Sequence, residues 1–163
     1  MKTKLLVPLC VVALAGCVST THVALDQIKE PSLLQGATAQ SVKVAPEFFA
    51  HTDAINVGGK PLWIFPTGQV AQKIFTGGAD CPWTIEVLTT QLTLDQKDDM
   101  PIPVFTTTAR FSVSCVLKGR GKQIPLSTTA AGETRTDVPL AIRMAVERAL
   151  LDISKQVAAA SSS

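Results

Sequence analysis

The clearest pattern in the chain is a period of two in apolar and polar residues over the 13 positions from Phe105 to Leu117. A period of two over this length predicts a β-strand with one buried face and one wet face, which is typical of an antiparallel sheet. The predicted buried set is Phe105, Thr107, Ala109, Phe111, Val113, Cys115 and Leu117, and the predicted wet set is Thr106, Thr108, Arg110, Ser112 and Ser114.

The segments on either side extend this sheet. Gln123–Thr129 returns as a strand after a turn rich in Gly, Lys and Arg, and Pro125 within it predicts an edge strand because proline cannot donate to a ladder. Trp83–Asp95 is also strand-like, but its apolar phase changes near Val87 and Leu88. We therefore expect a β-bulge at that point.

The pattern before residue 80 predicts short elements. Three short strands and one short helix are expected, the helix being stopped by Gly77-Gly78. The strands are Ser41–Ala45, Ile55–Val57 and Leu62–Phe65, and the helix starts near Thr67.

A longer amphipathic helix is predicted at the C-terminal end. Its apolar residues recur at spacings of three and four, which predicts packing of that stripe on the apolar face of the sheet. Its polar residues carry both signs of charge, whereas a membrane-surface helix is mainly cationic. The apolar set is Ile142, Ala145, Val146, Ala149, Leu150, Ile153 and Val157, and the polar set is Arg143, Glu147, Arg148, Asp152 and Lys155.

Together these elements predict an α+β fold: a small antiparallel sheet of about four to five strands, a short helix, and a C-terminal amphipathic helix packed on one face. We expect one such domain over residues 42–157. Residues 17–41, rich in Ser, Thr, Gln and Ala, are expected to form a flexible tether, and residues 158–163 a disordered tail.

The N-terminus resembles a bacterial lipoprotein signal. Lys2 and Lys4 precede an apolar run that is too short to span a membrane, and Leu14-Ala15-Gly16-Cys17 resembles a lipobox. The resemblance implies that residues 1–16 are a cleaved signal peptide and that Cys17 carries a diacylglycerol thioether and an N-linked fatty acid such as palmitate. Two alternatives are an ordinary secretory signal and a short transmembrane anchor.

The residue after the lipidated cysteine bears on location. Val18 and Ser19 follow Cys17, where lipoproteins retained at the inner membrane of two-membrane bacteria tend to have Asp. The resemblance therefore implies a protein anchored by its acyl chains at the periplasmic face of the outer membrane. Three acyl chains exceed what stable anchoring requires.

Charge narrows the possible partners. Loss of Lys2 and Lys4 with the signal peptide lowers the basic count from 15 to 13, which equals the 13 acidic residues. A neutral chain without a basic block is a poor ligand for nucleic acid. We expect no nucleic-acid partner, and we expect a membrane attachment through the acyl chains together with an envelope protein partner.

Two cysteines remain after Cys10 leaves with the signal and Cys17 is lipidated. Cys81 and Cys115 form an even pair in an oxidising compartment, which predicts a structural disulfide. A hairpin centred near Asp99 would place residue 84 opposite residue 115 and so bring the two cysteines within a few residues of each other. The alternative is a metal-binding or catalytic thiol pair.

Catalytic and cofactor motifs are weak. The histidines are His22, close to the proposed anchor, and His51, which Asp53 could orient in the sequence Phe49-Ala-His-Thr-Asp53. The sequence has no ligand cluster for a metal and no phosphate-binding signature. We therefore predict no enzyme, no catalytic residue, no cofactor and no metal; a hydrolase based on His51 is the weaker alternative.

The order of elements resembles that of several small envelope lipoproteins. These are the lipopolysaccharide-assembly lipoprotein, the auxiliary lipoproteins of ABC-type envelope transporters, and lipoproteins with a fold like the amino-terminal domain of the Tol-system periplasmic protein. The resemblance implies a non-enzymatic accessory or partner-binding role in envelope assembly or transport. The alternative is a carrier that holds a lipid or glycolipid between the sheet and the last helix.

Overall fold

The structure is a computed structural model that describes residues 19–57, 60–78, 80–98, 105–135 and 137–161. The predicted signal peptide and Cys17 lie outside these ranges. The strands are β1 (Thr21–His22), β2 (Lys43–Val44), β3 (Asp53–Val57), β4 (Lys60–Phe65), β5 (Trp83–Asp98), β6 (Phe105–Gly119) and β7 (Lys122–Arg135), and the helices are α1 (Pro46–Phe49), α2 (Thr67–Ala71) and α3 (Val138–Ser161), with a 3-10 turn at Leu25–Gln27.

The fold class is α+β, as predicted, but the strands form two mixed sheets. The larger sheet has the order β2-β5-β6-β7, in which β2 runs parallel to β5 and the other pairs are antiparallel. The smaller sheet has the order β1-β4-β3, in which β1 runs parallel to β4. The two parallel pairs arise because residues 19–44 run back over the domain and contribute two-residue strands.

The alternation predicted for β6 is confirmed. Ala109, Phe111 and Leu117 are fully buried, and β7 lies at the edge of the sheet with Pro125 opposite Val116. The predicted bulge is also confirmed, because the register between β5 and β6 shifts between Val87 and Thr89. The bulge keeps Leu92 on the buried face despite the change of phase.

The core lies between the larger sheet and the elements packed on one of its faces. α3 packs on β6 and β7, and β3 packs on β5. Gly132 shows how closely the helix approaches, because a Cβ there would overlap the backbone oxygen of Ala141. The helical residues facing the sheet, Ala141, Ile142, Ala145, Val146, Ala149 and Val157, are fully buried.

The prediction of a flexible tether over residues 17–41 is wrong for the stretch from Thr21 to Leu34. β1 pairs with β4, and Val23 is buried. The helical residues Arg143 and Glu147, predicted to be solvated, are only 5% and 3% exposed because this stretch covers them.

The stretch from Thr21 to Leu34, which we call the covering segment, is held by hydrogen bonds from its backbone and from the Ser32 hydroxyl. Arg143 Nη2 donates to the backbone oxygen of Glu30 at 2.8 Å, and Glu147 accepts from the Ser32 hydroxyl at 2.6 Å and from the Leu33 amide at 2.8 Å. These contacts join groups more than 110 residues apart in the chain. A buried charge pair of this kind is stable only when hydrogen bonds satisfy it, which gives the segment a fixed place.

The prediction of a disordered tail from residue 158 is also wrong as far as Ser161, because α3 continues to that residue. Residues 158–160 are alanines, the best helix formers, so the last turn needs no tertiary support to continue. α3 is long, but none of the helices in the described ranges is both long and apolar enough to cross a membrane.

Candidate functional site

The predicted lipidation site cannot be compared with the structure, because Cys17 precedes the first described residue. Lipidation therefore remains a prediction from the sequence. The structure does bear on the other two predicted site residues, Cys81 and Cys115.

The predicted disulfide is not formed: Cys81 and Cys115 are both free thiols. The ladder pairs Cys115 with Val87 and Trp83 with Gly119, so Cys81 lies beyond the end of the ladder and six residues from the partner of Cys115. The predicted register was wrong by three residues, because Val87 pairs with Cys115 where residue 84 was expected.

The two thiols have different surroundings. Cys81 is half-buried, and its sulfur lies 3.3 Å from the Ser41 hydroxyl. Cys115 is 1% exposed on the buried face of the sheet, and desolvation raises its pKa to about 11. Because the thiolate is the reactive form, burial makes Cys115 chemically inert at neutral pH.

The feature that stands out as a binding surface is the face of the larger sheet opposite α3, which we call the outer face. Most of its side chains on β5 and β7 are exposed, whereas Thr106, Thr108, Ser112 and Ser114 on the central strand β6 are half-buried. Cross-strand pairing aligns its hydroxyl and amide side chains in rows. Two adjacent rows are Thr89-Ser114-Ser127 and Gln91-Ser112-Thr129.

These two rows border a shallow groove of about 630 Å³. Within it the Ser112 and Thr129 hydroxyls are hydrogen-bonded at 2.9 Å. Leu88, the extra residue of the β5 bulge, directly precedes Thr89, which borders the groove, and is 55% exposed. A large exposed apolar side chain next to hydroxyl groups offers a partner one apolar contact and several hydrogen-bonding groups.

The outer face changes character towards the end of β7. Asp95 and Glu133 flank Thr108 in one row, and Lys97 and Arg135 flank Thr106 in the next. These residues border a second depression of about 610 Å³. Since acidic and basic rows alternate here, a partner with both signs of charge matches this end better than a uniformly charged polymer does.

The edge strand β7 offers backbone groups to which a partner strand could add, but this edge is partly covered. Arg148 Nη1 donates to the backbone oxygen of Ala131 at 2.6 Å, and Gln156 Nε2 donates to that of Ser127 at 3.2 Å. Alternate residues of an antiparallel strand direct their backbone groups to opposite sides, so Pro125 also faces away from β6. Two carbonyls are thus occupied and one amide is missing, which protects the edge.

His51 and Asp53 are brought together, as their spacing suggested: His51 Nε2 lies 3.5 Å from Asp53 Oδ1, and Thr90 bridges the two side chains. The Thr90 hydroxyl donates to Asp53 Oδ1 at 2.6 Å and lies 2.8 Å from His51 Nε2, while the Thr67 hydroxyl donates to Asp53 Oδ2 at 2.5 Å. The Asp53 side chain is 7% exposed and that of His51 is 38% exposed. No pattern in the sequence indicated that Thr67 and Thr90 would complete this cluster.

The order of groups in this cluster is not that of a hydrolase. A hydroxyl carries one proton, so when Thr90 donates to Asp53 it accepts from His51 Nε2–H. In a catalytic triad the histidine lies between the nucleophile and the carboxylate and accepts the nucleophile's proton. The His51-Thr90-Asp53 order instead fastens the start of β3 to β5.

Other chemistry finds little support in the described part of the chain. Within it, no group of three or more His, Cys, Asp or Glu side chains converges as a metal site would require. The space between the sheet and α3 is filled by side chains with essentially no exposure, so the groove expected of a lipid carrier is not found among the described residues. No protein-family model matches the chain, and no curated protein matches it.

The sequence pattern predicts some residues of the outer face but not others. Thr106, Thr108, Ser112 and Ser114 follow from the alternation of β6. The exposed position of Leu88 could have been inferred from the predicted bulge, because the residue inserted by a bulge is left out of the ladder. The contribution of Thr89 and Gln91 depends on the register, which the sequence did not determine.

Proposed function

We propose that the protein is a lipid-anchored, non-enzymatic cell-envelope lipoprotein that acts as an accessory or partner-binding component of an envelope assembly or transport system. In this proposal it is held at the periplasmic face of the outer membrane by acyl chains on Cys17. The outer face of the larger sheet receives the partner protein. The observation that carries the binding role is the exposed Leu88 beside the hydroxyl-lined groove of β5, β6 and β7.

The anchor part of the proposal rests on the sequence. Lys2, Lys4, the short apolar run and Leu14-Ala15-Gly16-Cys17 have the layout of a lipoprotein signal. An acylated cysteine confines the protein to a membrane surface. The lipid anchor keeps the protein in the same envelope as its partner. Because the protein and its partner are then both held near the membrane, a modest contact area between them suffices for binding.

The face is a better candidate than the edge for the contact. Strand addition requires a run of unpaired backbone donors and acceptors. On β7 that run is interrupted by Pro125 and occupied at Ser127 and Ala131. The outer face retains exposed hydroxyls and an apolar anchor, which need no backbone rearrangement to make contact.

Site-specific photo-crosslinking in native membranes tests this proposal. A photoreactive amino acid at Gln91, on the outer face, should give a discrete protein adduct that mass spectrometry identifies. The matched control is Glu47 in α1, which is also exposed but lies away from the outer face. Recovery of uncrosslinked monomer from both positions, or the same adducts from both, would count against the outer face as a binding site.

The anchor is tested separately by replacing Cys17 with Ser. The wild type should incorporate a clickable fatty acid, whereas Cys17→Ser should accumulate as an unlabelled, uncleaved precursor. Equal labelling of the two proteins, or a soluble wild type, would remove the basis for a lipid anchor. Fractionation of the two membranes then checks the outer-membrane assignment.

A further inference from the structure

The distance between the proposed anchor and the folded domain is short. Thr21, the first residue of β1, is four residues after Cys17. Four residues of extended chain span at most about 14 Å. Because the lipidated cysteine sits where its acyl chains enter the bilayer, Thr21 can lie no further than this from the headgroup layer, which is itself about 5–7 Å thick on each side.

The start of β1 has a fixed position on the domain. Thr21 pairs with Trp63 and His22 pairs with Ile64 in a parallel ladder. The Val23 amide continues this contact by donating to the Ile64 oxygen at 2.8 Å, and Val23 is buried. The domain can move away from the bilayer only by breaking these contacts.

The surface around Thr21 has the features of a membrane-facing end. Thr21, His22, Ile28, Trp63 and Pro139 border a cavity of about 210 Å³, and we call this group the anchor-proximal end. Trp63 and Ile28 are half-buried against the core, which leaves part of each accessible. Tryptophan is favoured at the level of lipid headgroups because its ring is apolar and its N–H is polar.

The one carboxylate bordering this cavity is already engaged within the described chain. Asp137 Oδ1 accepts from the Leu140 amide at 2.9 Å and so caps the first turn of α3. A capping carboxylate is partly compensated by the positive end of the helix dipole. The Asp137 carboxylate is therefore compensated, and the exposed acidic side chains near the anchor-proximal end are Asp26 and Glu30.

We propose that the anchor-proximal end rests on the lipid bilayer, so that Trp63 lies at headgroup level and the domain is docked on the membrane rather than suspended from a tether. This proposal rests on the lipidation of Cys17 in the proposed function. It also orients the domain. Arg135 ends β7 immediately before α3, and Trp83 lies at the opposite end of the 16-residue strand β5, so the Trp83 end of the sheet points away from the bilayer.

The two tryptophans give a matched pair of reporters. Lipidated W83F, which retains Trp63, and lipidated W63F, which retains Trp83, are reconstituted in vesicles of phosphatidylethanolamine and phosphatidylglycerol. Part of the lipid carries bromine on the acyl chains near the glycerol backbone. We expect Trp63 fluorescence to fall about twofold relative to unbrominated vesicles and Trp83 fluorescence to stay nearly constant. Equal responses of the two tryptophans would overturn the proposal.

Two further measurements make the result decisive. Insertion of about 20 Gly and Ser residues between Val18 and Ser19 lets the unmodified domain leave the bilayer, and it should abolish the quenching of the protein with both tryptophans. This readout does not depend on the folding of W83F. Vesicle flotation of each sample separates the two proposals: protein that fails to float contradicts lipidation and docking together, whereas protein that floats without quenching of Trp63 contradicts docking alone.

Discussion

The two faces of β6 are built from alternate residues of one strand and have opposite physical character. Phe111 on one face is fully buried, whereas its neighbour Ser112 on the other face is half-buried and lines the hydroxyl groove. Free energy of folding comes from the first face, through burial of apolar surface. The second face contributes little to folding, so its residues are free to serve contact with a partner.

The buried side and the outer face of the sheet differ in how their polar groups are hydrogen-bonded. On the buried side, Asp53 accepts from Thr67 and Thr90, and Glu147 accepts from Ser32 and Leu33. The buried Arg143 donates through Nη2 to the Glu30 oxygen, although its Nε has no hydrogen-bond partner. On the outer face, hydroxyls need no such partners because water reaches them. Substitutions on the two sides should therefore differ in their effect on stability and in their effect on partner binding.

The largest difference should appear between Phe111→Ala and Ser112→Ala. Phe111→Ala removes a fully buried ring and should lower the free energy of unfolding by about 3–5 kcal/mol. Ser112→Ala removes one solvent-accessible hydrogen bond to Thr129 and should cost less than about 1 kcal/mol. Urea unfolding followed by circular dichroism measures both. Similar losses for the two variants would contradict the separation of the faces.

A somewhat smaller effect is expected from Glu147→Ala. The substitution leaves Arg143 buried without its carboxylate and releases Ser32 and Leu33, at a cost of about 3 kcal/mol. This cost lies at the low end of the range for breaking a buried ion pair, because the covering segment can move and admit water to Arg143. Trypsin should also cut at Lys29 faster in this variant.

The control for Glu147→Ala is an exposed pair on the same helix. Asp152 and Lys155 lie 3.2 Å apart with side chains 46% and 78% exposed. Asp152→Ala should cost less than about 0.5 kcal/mol, because solvent screens such pairs. If both variants are equally stable, the N-terminal segment is not held by Glu147.

The next effect depends on pH and concerns Cys115. Burial raises its pKa from 9.0 to about 11, so between these values the folded chain keeps a proton that the unfolded chain loses. The buried, protonated thiol therefore contributes its full stabilisation of the fold below pH 9. The free energy of unfolding then falls by about 2–3 kcal/mol as the pH rises from 9 towards 11. Urea midpoints of the wild type should therefore fall across this range relative to Cys115→Ala. Parallel pH profiles of the two proteins would show that the thiol is not desolvated.

The sequence predicts the local features of this comparison well and the non-local ones poorly. The alternation of β6, the bulge at Leu88 and the edge position of the Pro125 strand each follow from a pattern within one segment, and all three are confirmed. The predicted register of β5 on β6 was wrong. This register depends on the position of the hairpin centre, which no pattern within either strand specifies.

The missed parts of the buried side depend on residues far apart in the chain. Helical spacing placed Arg143 and Glu147 on a solvated face, and only the return of residues 28–33 across α3 buries them. The same return produced the parallel strands β1 and β2. A short segment with no period of its own gives no signal of where it packs, so the sequence suggested a tether.

The smallest effect on stability, and the largest expected effect on partner binding, concerns Leu88. Its side chain is 55% exposed, so Leu88→Ser should change the free energy of unfolding by less than about 0.5 kcal/mol. As the apolar anchor beside the groove, it should nevertheless reduce the yield of partner adduct from a photoreactive residue at Gln91 by about tenfold, or about 1.4 kcal/mol. Leu33→Ser is the matched control, because Leu33 is also an exposed leucine, at 41%, but lies in the N-terminal segment. Loss of adduct in both variants would point to a general loss of surface hydrophobicity, and loss in neither would remove Leu88 from the binding surface.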